Sequence, residues 1–329
     1  MQDTGYNLQF TIYIIMLGRR SLRVKTMQVL FGFELNQSVS LGVLEQQLEK
    51  STEKTVGLYL AYLVYLNELA QYSLVDAAIR LAKYIKTDDD KNINTHVAAS
   101  PLLKNLFEND MFSTLLAKHK TKHLVDKEIV KSLFAKLKDK QRYKDFCVNI
   151  APTVQQQNEL LVYIVKKILS ENDVLEGLME EHFNNFDDDS FLLLHLLQKQ
   201  LEGLKESDNP AIFIEAIQTW NDESRFPLEL LKRYYNHYED LTKIIEPNLK
   251  NWDLDRIAVL DMTLMKLAVC EMLYMPTVPV KVSINEYIDI SKIYSTPKSK
   301  DFVNGVLDKI KLQLTESGQI KKQGRGLVE

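Results

Sequence analysis

Four cationic side chains lie close together near the start of this 329-residue chain, where Arg19, Arg20, Arg23 and Lys25 fall within seven residues. Arg19 and Arg23 are four residues apart and Arg20 and Arg23 are three apart, so a helix would place them on one face. Cations at the N-terminus of a helix oppose its macrodipole, which makes a purely stabilising role unfavourable. The pattern therefore indicates a site for an anion such as phosphate, although a solvated cationic helix face has the same pattern.

A second cationic cluster lies near the other end of the chain, in the segment K-S-K-D-F-V-N-G-V-L-D-K at 298–309. Ser299 can cap a helix there, and Lys298 and Lys300 place positive charge around its first turn. The apolar residues that follow recur at spacings of three and four, which predicts an amphipathic helix packed on a core. They are Phe302, Val303, Val306, Leu307 and Ile310.

The elements that would position these residues are predicted to be helices throughout, which is an all-α fold. Glycine (11 residues) and proline (8 residues) are sparse, so few tight turns are available for a β architecture. Apolar residues follow helical spacing in long runs such as 58–85, and Ser100 followed by Pro101 is typical of a helix start. Only the aspartate-rich stretches at 87–90 and 186–189 predict loops.

Several segments resemble the NusB family of bacterial transcription antitermination factors. The F-V-N-G-V-L-D segment at 302–308 resembles the family signature. Upstream, N-W-D-L-D-R at 251–256 is similar to the start of the family's central helix, and V-P-V-K-V-S-I-N-E at 278–286 is similar to the connection after it. T-M-Q-V-L-F at 26–31 is similar to the apolar stripe of the family's arginine-rich first helix. The fold expected is a NusB-like helical bundle.

The resemblance implies an RNA site. In the family, the arginine-rich helix and the loop before the F-V-N-G helix bind boxA RNA beside the ribosomal protein NusE. Residue by residue, Arg19, Arg20 and Arg23 match the basic helix, and Ser299 and Phe302 match the loop. Arginines would then pair with phosphates while an exposed aromatic ring stacks on a base. The helical spacing alone leaves open whether Phe302 stacks on RNA or belongs to the core.

Three further features concern this site. Asp261 stands where the family places an acidic residue that faces NusE. The family usually has an acidic residue before the serine and a lysine before the phenylalanine, whereas this chain has K-S-K-D-F at 298–302. Either Lys298 and Lys300 supply the charge in a shifted RNA register, or the loop binds RNA more weakly. Lys25 is a further candidate that matches the family pattern less closely.

The chain is longer than typical family members, and the resemblance covers roughly 17–35 and 220–314. Met16 directly precedes the family-like start, so we expect it to be the initiator. The expected organisation is a non-native or disordered leader at 1–15, the basic first helix of a NusB-like domain at 16–35, an all-helical insertion at 36–219 that extends the same bundle, the C-terminal part of the NusB-like domain at 220–315, and a disordered tail at 316–329.

Composition limits the range of functions. The net charge of −4 argues against diffuse affinity for nucleic acid, so RNA would contact local basic patches. Cys147 and Cys270 lie in apolar surroundings and form no disulfide framework, which fits a reducing cytoplasm. The apolar stretch at 8–15 is too short to span a membrane, so we expect no membrane partner.

Catalytic and metal sites are not indicated. His119 and His123 have the i, i+4 spacing of two metal ligands, but Lys120 and Lys122 between them would repel a cation. The sequence contains no glycine-rich nucleotide loop, nucleophile elbow or paired C-x-x-C motif. We therefore expect no enzyme activity, no cofactor and no metal.

The favoured hypothesis is an RNA-binding antitermination factor that binds boxA-like single-stranded RNA with NusE and joins the RNA polymerase complex, chiefly on ribosomal RNA operons. One alternative is a NusB-like protein–protein scaffold without RNA binding. Another is a subunit of an RNA-modifying enzyme, because NusB-like domains also occur fused to ribosomal RNA methyltransferases. That alternative requires an α/β cofactor domain, whose alternating strands and glycine-rich turn the sequence does not show.

Overall fold

The computed structural model describes residues 18–87, 90, 92–204, 210–223, 225–249 and 257–327. Over these residues the backbone forms no β-strand, so the all-α prediction is confirmed. The fifteen described α-helices are, in chain order, α1 (Arg19–Leu35), α2 (Leu41–Leu81), α3 (Pro101–Phe107), α4 (Asp110–His119), α5 (Lys127–Lys138), α6 (Gln141–Val148), α7 (Val154–Ile164), α8 (Asp173–His182), α9 (Phe186–Gly203), α10 (Ala211–Glu223), α11 (Arg225–Asn236), α12 (Tyr238–Ile245), α13 (Val259–Tyr274), α14 (Val280–Tyr294) and α15 (Ser299–Glu316).

Two sequence predictions fall outside the described residues, namely the leader at 1–15 and the N-W-D-L-D-R motif at 251–256. Within the described ranges, no helix is both long enough and apolar enough to cross a lipid bilayer.

The described chain divides into two compact units. The terminal unit comprises Gly18–Thr52 and Asp222–Glu329, and the central unit comprises Glu53–Asn221. Two helices include the positions at which the chain passes from one unit to the other. Helix α2 begins in the terminal unit and continues in the central unit, and α10 begins in the central unit and ends in the terminal unit.

The terminal unit is built around α13, which has apolar side chains on all sides and three buried charged residues among them, Asp261, Lys266 and Glu271. A helix with that pattern must be enclosed by other elements. Five helices of the same unit, α1, α11, α12, α14 and α15, pack against it. Its enclosed side chains include Leu264, Met265, Leu267, Ala268, Val269, Cys270 and Met272, all 0% exposed.

A buried ion pair joins α1 to α13 inside the terminal unit. Lys266 Nζ lies 3.0 Å from one Glu34 carboxylate oxygen and 3.1 Å from the other. Tyr234 and Tyr238 donate hydrogen bonds to the same carboxylate. Burial lowers the pKa of the Lys266 ammonium against the opposing attraction of Glu34. Because both charges are paired and hydrogen-bonded, the network fixes how α1 lies against α13.

In the central unit, α2 contributes a row of buried tyrosines, Tyr59, Tyr62 and Tyr65. The Tyr59 hydroxyl donates to Gln200 Oε1 on α9 at 2.6 Å, and α9 packs against α7. The predicted helix start is confirmed, because α3 begins at Pro101 with Ser100 as its N-cap.

The predicted loop at 186–189 is wrong, because these residues form the first turn of α9. Acidic side chains are favourable at a helix N-terminus, where they face the positive end of the macrodipole. Asp189 is also buried, and it accepts hydrogen bonds from Thr55 Oγ1 at 2.6 Å and Asn185 Nδ2 at 2.5 Å. An aspartate run therefore marks a helix start here rather than a loop.

The C-terminal tail, which we predicted to be disordered at 316–329, instead packs on the end of α13 over its described part. Lys322 Nζ donates to the carbonyl oxygens of Glu271 at 2.9 Å and Met275 at 3.0 Å. The Gln323 amide donates to the Pro276 carbonyl at 3.0 Å. The last carbonyls of a helix have no partner within the helix, and a lysine is a favourable cap for them.

Candidate nucleic-acid interface

The first cationic cluster lies at the start of α1, where Gly18 is the N-cap. Arg19 is exposed, and its guanidinium lies 5.3 Å from the Phe226 ring centroid. Arg20 is about half exposed and forms hydrogen bonds of 2.9 and 3.0 Å with Glu286 and 2.8 Å with Asp289 on α14. The Glu286 hydrogen bond is the main cause of its raised pKa, so Arg20 is charged at every physiological pH.

Arg23 points into the terminal unit rather than to solvent. Its side chain is 2% exposed, and its Nε and Nη2 atoms lie 2.7 and 2.9 Å from the two carboxylate oxygens of Glu271. Burial lowers the pKa of Arg23, but the charge and hydrogen bonds of Glu271 outweigh burial and the net shift is upward. A guanidinium enclosed in this way presents no surface to a phosphate, which corrects the prediction that Arg23 contacts RNA.

The Glu271 carboxylate is fully satisfied by its neighbours. Besides Arg23, the Tyr287 hydroxyl donates to it at 2.7 Å and the Ser283 hydroxyl at 2.9 Å, both from α14. Lys25 is likewise buried, at 1% exposed, so it is not on the surface where we predicted an RNA contact. Arg23 and Lys25 are two residues apart and so point to different sides of α1. Both are enclosed because α1 is buried on all sides from Leu22 to Met27.

Asp261 and Ser299 are also interior residues. Ser299 is 2% exposed and donates to Asp261 Oδ2 at 2.7 Å, while Ser295 donates to Asp261 Oδ1 at 2.6 Å. Asp261 itself is 5% exposed. We predicted that Asp261 contacts a protein partner and that Ser299 contacts RNA. Both predictions are corrected, because the two side chains are buried and hydrogen-bonded to each other. Together they hold the turn between α14 and α15.

The exposed residues of the second cationic cluster lie in the turn between α14 and α15 and in the first turn of α15. Lys298 is the N-cap of α15, and both Lys298 and Lys300 are exposed. Phe302 is partly exposed, whereas the stripe that packs on the core is buried. Its members are Val303, Val306, Leu307, Ile310 and Leu314, each at most 4% exposed. The structure thus separates Phe302 from the core stripe.

The two clusters lie on helices α1 and α15 of the terminal unit, and α14 packs against both of these helices. Arg20 binds α14 at Asp289, and α14 then continues for five residues, or about 7.5 Å of helix axis, to Tyr294 just before the turn. Lys292 lies on this path and pairs with Asp289 at 2.5 Å. Sequence reasoning missed Lys292, although its i, i+3 spacing from Asp289 places both on one face of α14.

Metal binding has no support from the described part of the chain, which contains no group of three or more histidine, cysteine, aspartate or glutamate side chains placed to hold an ion. His119 ends α4, whereas His123 lies in the 3-10 turn Thr121–Leu124 after it. The two histidines therefore do not share a helix face as their spacing suggested.

The terminal unit is an all-α bundle with exposed cations at the starts of two helices. Residues 192–311 match the model of the NusB family. The chain is 43% identical over 104 residues to "Transcription antitermination protein NusB" of Chloroherpeton thalassium, which covers 32% of this chain and 49% of that protein. Proteins of the same name from Salinibacter ruber and Finegoldia magna are 44% and 40% identical over 103 and 89 residues. These alignments cover 31% and 27% of this chain. No solved structure matches.

The resemblance to the NusB family is thus confirmed over the C-terminal part of the chain. The chain spans 49%, 64% and 65% of the length of these three relatives. The family match begins at 192, inside the segment we predicted to be the insertion at 36–219, and it does not include α1. The likeness of α1 to the family's first helix therefore stays a prediction.

Proposed function

We propose that this protein is a transcription antitermination factor that binds boxA-like single-stranded RNA together with NusE and acts on RNA polymerase in the cytoplasm, chiefly on ribosomal RNA operons. The observation that supports the proposal most is the 40–44% identity to proteins named for antitermination. The exposed cations at the starts of α1 and α15 agree with it, because guanidinium and ammonium groups are the usual partners of RNA phosphates.

In the proposed mechanism, Arg19 and Arg20 pair with phosphates at one end of the strand, and Lys298 and Lys300 pair with phosphates at the other. Phe302 stacks on an unpaired base between them. Arg20 already has carboxylate partners, so an incoming phosphate must compete with Glu286 and Asp289 for its donors. This part of the site therefore binds less tightly than an unpaired arginine would.

Asp261 is proposed to act as a positioning residue. Its hydrogen bonds to Ser295 and Ser299 fix the backbone that carries Lys298. NusE would then contact exposed side chains beside this network rather than Asp261 itself. Val259 and Ile293, which are 39% and 69% exposed, are the nearest apolar candidates in the sequence.

A matched pair of double variants tests RNA binding. Lys298→Ala with Lys300→Ala removes two proposed phosphate contacts, whereas Lys309→Ala with Lys311→Ala removes the same charge from exposed positions later on α15. For single-stranded RNA we expect the first pair to lower the slope of log affinity against log salt by roughly 1.4 in magnitude, and the second pair to leave it unchanged.

Fluorescence anisotropy of labelled RNA at several salt concentrations measures the RNA affinity of each double variant and the slope of its salt dependence. Equal effects of the two pairs would mean that RNA senses only overall charge. No measurable RNA affinity in the unaltered protein would instead favour the scaffold alternative, in which the terminal unit binds proteins alone.

A further inference from the structure

The C-terminal end of α2 exposes an apolar face in the central unit. The face lies on one side of the helix, because its members recur at spacings of three and four residues. Its large members on the helix are 48–61% exposed, namely Leu74, Val75, Ile79 and Leu81. The exposed alanines Ala78 and Ala82 lie among them, and Ile85, which is 82% exposed, extends the face beyond the end of the helix.

The polarity of this end of α2 is the reverse of that of an ordinary surface helix, which turns its charged side to water and its apolar side to the core. Ser73, Asp76 and Arg80 lie on the opposite side from the apolar face and are all buried. Arg80 pairs with Asp76 at 2.5 Å, and Lys138 of α5 lies 3.2 Å from the same carboxylate. The polar side chains thus face the interior, and the apolar face meets water unless another molecule covers it.

The area of the apolar face fits an interface between proteins. At the exposures given above, its side chains present on the order of 600–700 Å². The largest apolar patch of a typical monomer covers only about 300–600 Å². A specific interface buries about 600–1,000 Å² on each partner. The face alone therefore supplies the area that one side of a small stable interface needs.

The charges at the two ends of the face indicate which partner it fits. Glu68 lies on the same side of α2 as Val75, seven residues earlier, and exposed Lys86 follows the face at its other end. Lys83, beside the face, is already paired with Asp90 at 2.8 Å. An apolar surface with a carboxylate at one end and an ammonium at the other is complementary to itself when a second copy is turned end for end.

We propose that this chain forms a two-fold symmetric dimer in which the C-terminal ends of α2 from two copies pack antiparallel through this face. The two-fold axis would pass near Ala78, whose small side chain lets the two helices approach closely. Glu68 precedes Ala78 by ten residues and Lys86 follows it by eight, so the rotation brings Glu68 of each copy beside Lys86 of the other. None of these residues belongs to the RNA surface proposed above.

Sedimentation equilibrium of the full chain between about 1 and 100 μM measures the association. We expect a monomer–dimer equilibrium in which the dimer dominates at the upper concentration. Ile79→Lys places a charge within the apolar face of both copies and should weaken the dimer about tenfold or more. Leu312→Lys makes the same change at a 60% exposed position of α15 and should leave the equilibrium unchanged.

Circular dichroism of both lysine variants reports whether they fold, which we expect because both positions are exposed. A monomer at every concentration of the unaltered chain would overturn the proposal. Equal dimerisation of folded Ile79→Lys and the unaltered chain, or equal weakening by the two lysine substitutions, would also overturn it.

Exchange of charges tests the antiparallel arrangement. Glu68→Lys and Lys86→Glu each bring like charges together at both ends of the interface, so each should weaken the dimer by about threefold or more. The double variant restores two opposite-charge pairs and should recover most of the lost affinity. No weakening by either single variant, or no recovery in the double variant, would contradict the arrangement. Because Lys298 and Lys300 are intact in all these variants, RNA titration of each separates failure of the dimer from failure of the RNA surface.

Discussion

Arg23 belongs to the basic cluster at the start of α1, but its contacts give it a structural role rather than a role in RNA binding. It lies between the rings of Phe226 and Tyr287, with its guanidinium 5.2 and 5.9 Å from their centroids, and forms two hydrogen bonds with buried Glu271. Removing one partner of such a pair leaves the other charge buried and uncompensated. Arg23 therefore stabilises the terminal unit.

We expect Arg23→Ala to lower the free energy of unfolding by about 3–5 kcal/mol. Arg19→Ala, at an exposed position four residues earlier, should cost less than about 1 kcal/mol. Urea unfolding followed by circular dichroism measures both variants. Equal stability of the two would show that the Arg23–Glu271 pair does not hold the bundle together. A joint replacement of Arg19, Arg20 and Arg23 would mix lost stability with lost RNA binding, so the exposed cations must be tested separately.

Phe302 is the residue for which core and surface roles separate most clearly. Because it is partly exposed beside a buried stripe, Phe302→Ala should cost less stability than the about 3–5 kcal/mol of a fully buried phenylalanine. The same change should remove about 1–3 kcal/mol of RNA binding energy if the ring stacks on a base.

Leu307→Ala on the same helix is the control for Phe302. Leu307 is 0% exposed, so its truncation should cost about 2–5 kcal/mol of stability. The folded fraction of that variant should bind RNA normally. Thermal melting and RNA titration of both variants decide the matter: a large loss of stability in Phe302→Ala with unchanged RNA affinity would assign the ring to the core.

At the scale of elements, the C-terminal tail contacts the end of α13 through Lys322, and we expect this contact to depend on pH. Burial lowers the pKa of Lys322 to about 8 from 10.5. Between these two values the undocked tail binds more protons than the docked tail, so raising the pH through this range favours docking. Lowering the pH towards 8 removes that gain, because both states are then protonated.

The ¹³Cε chemical shift of Lys322, assigned with a Lys322→Arg variant, should titrate near pH 8 in the native protein. In urea the same carbon should titrate near 10.5, the value for an unburied lysine. A native midpoint near 10.5 would show that burial at the end of α13 does not lower the pKa of Lys322, and docking would then not depend on pH in this range.

The elements themselves were largely predictable from the sequence, and the site was predictable only in part. Helical spacing and the Ser100–Pro101 pair reflect local preferences, so these predictions agree with the structure. The partner of Arg23 is 248 residues away in the sequence, and no local pattern shows that its carboxylate is buried. Asp189 was misassigned for a related reason: an acidic run suits both a loop and the first turn of a helix.

At the scale of the whole molecule, the net charge is negative although the proposed RNA surface is positively charged. The chain has a net charge of −4, so RNA affinity has to come from a few exposed cations placed together. Burial of Arg23 and Lys25 removes two of the predicted ones, and Lys292 adds one that was missed. If the proposed function holds, we expect the remaining exposed cations to give modest RNA affinity, which the partner protein would strengthen.

The measurement that tests the central claim most directly is the affinity of the full chain for a boxA-like single-stranded RNA and for a scrambled RNA of the same composition, each with and without NusE. We predict tighter binding of the boxA-like strand and a further increase in that preference when NusE is present. Equal affinity for the two RNAs, with and without NusE, would contradict the account.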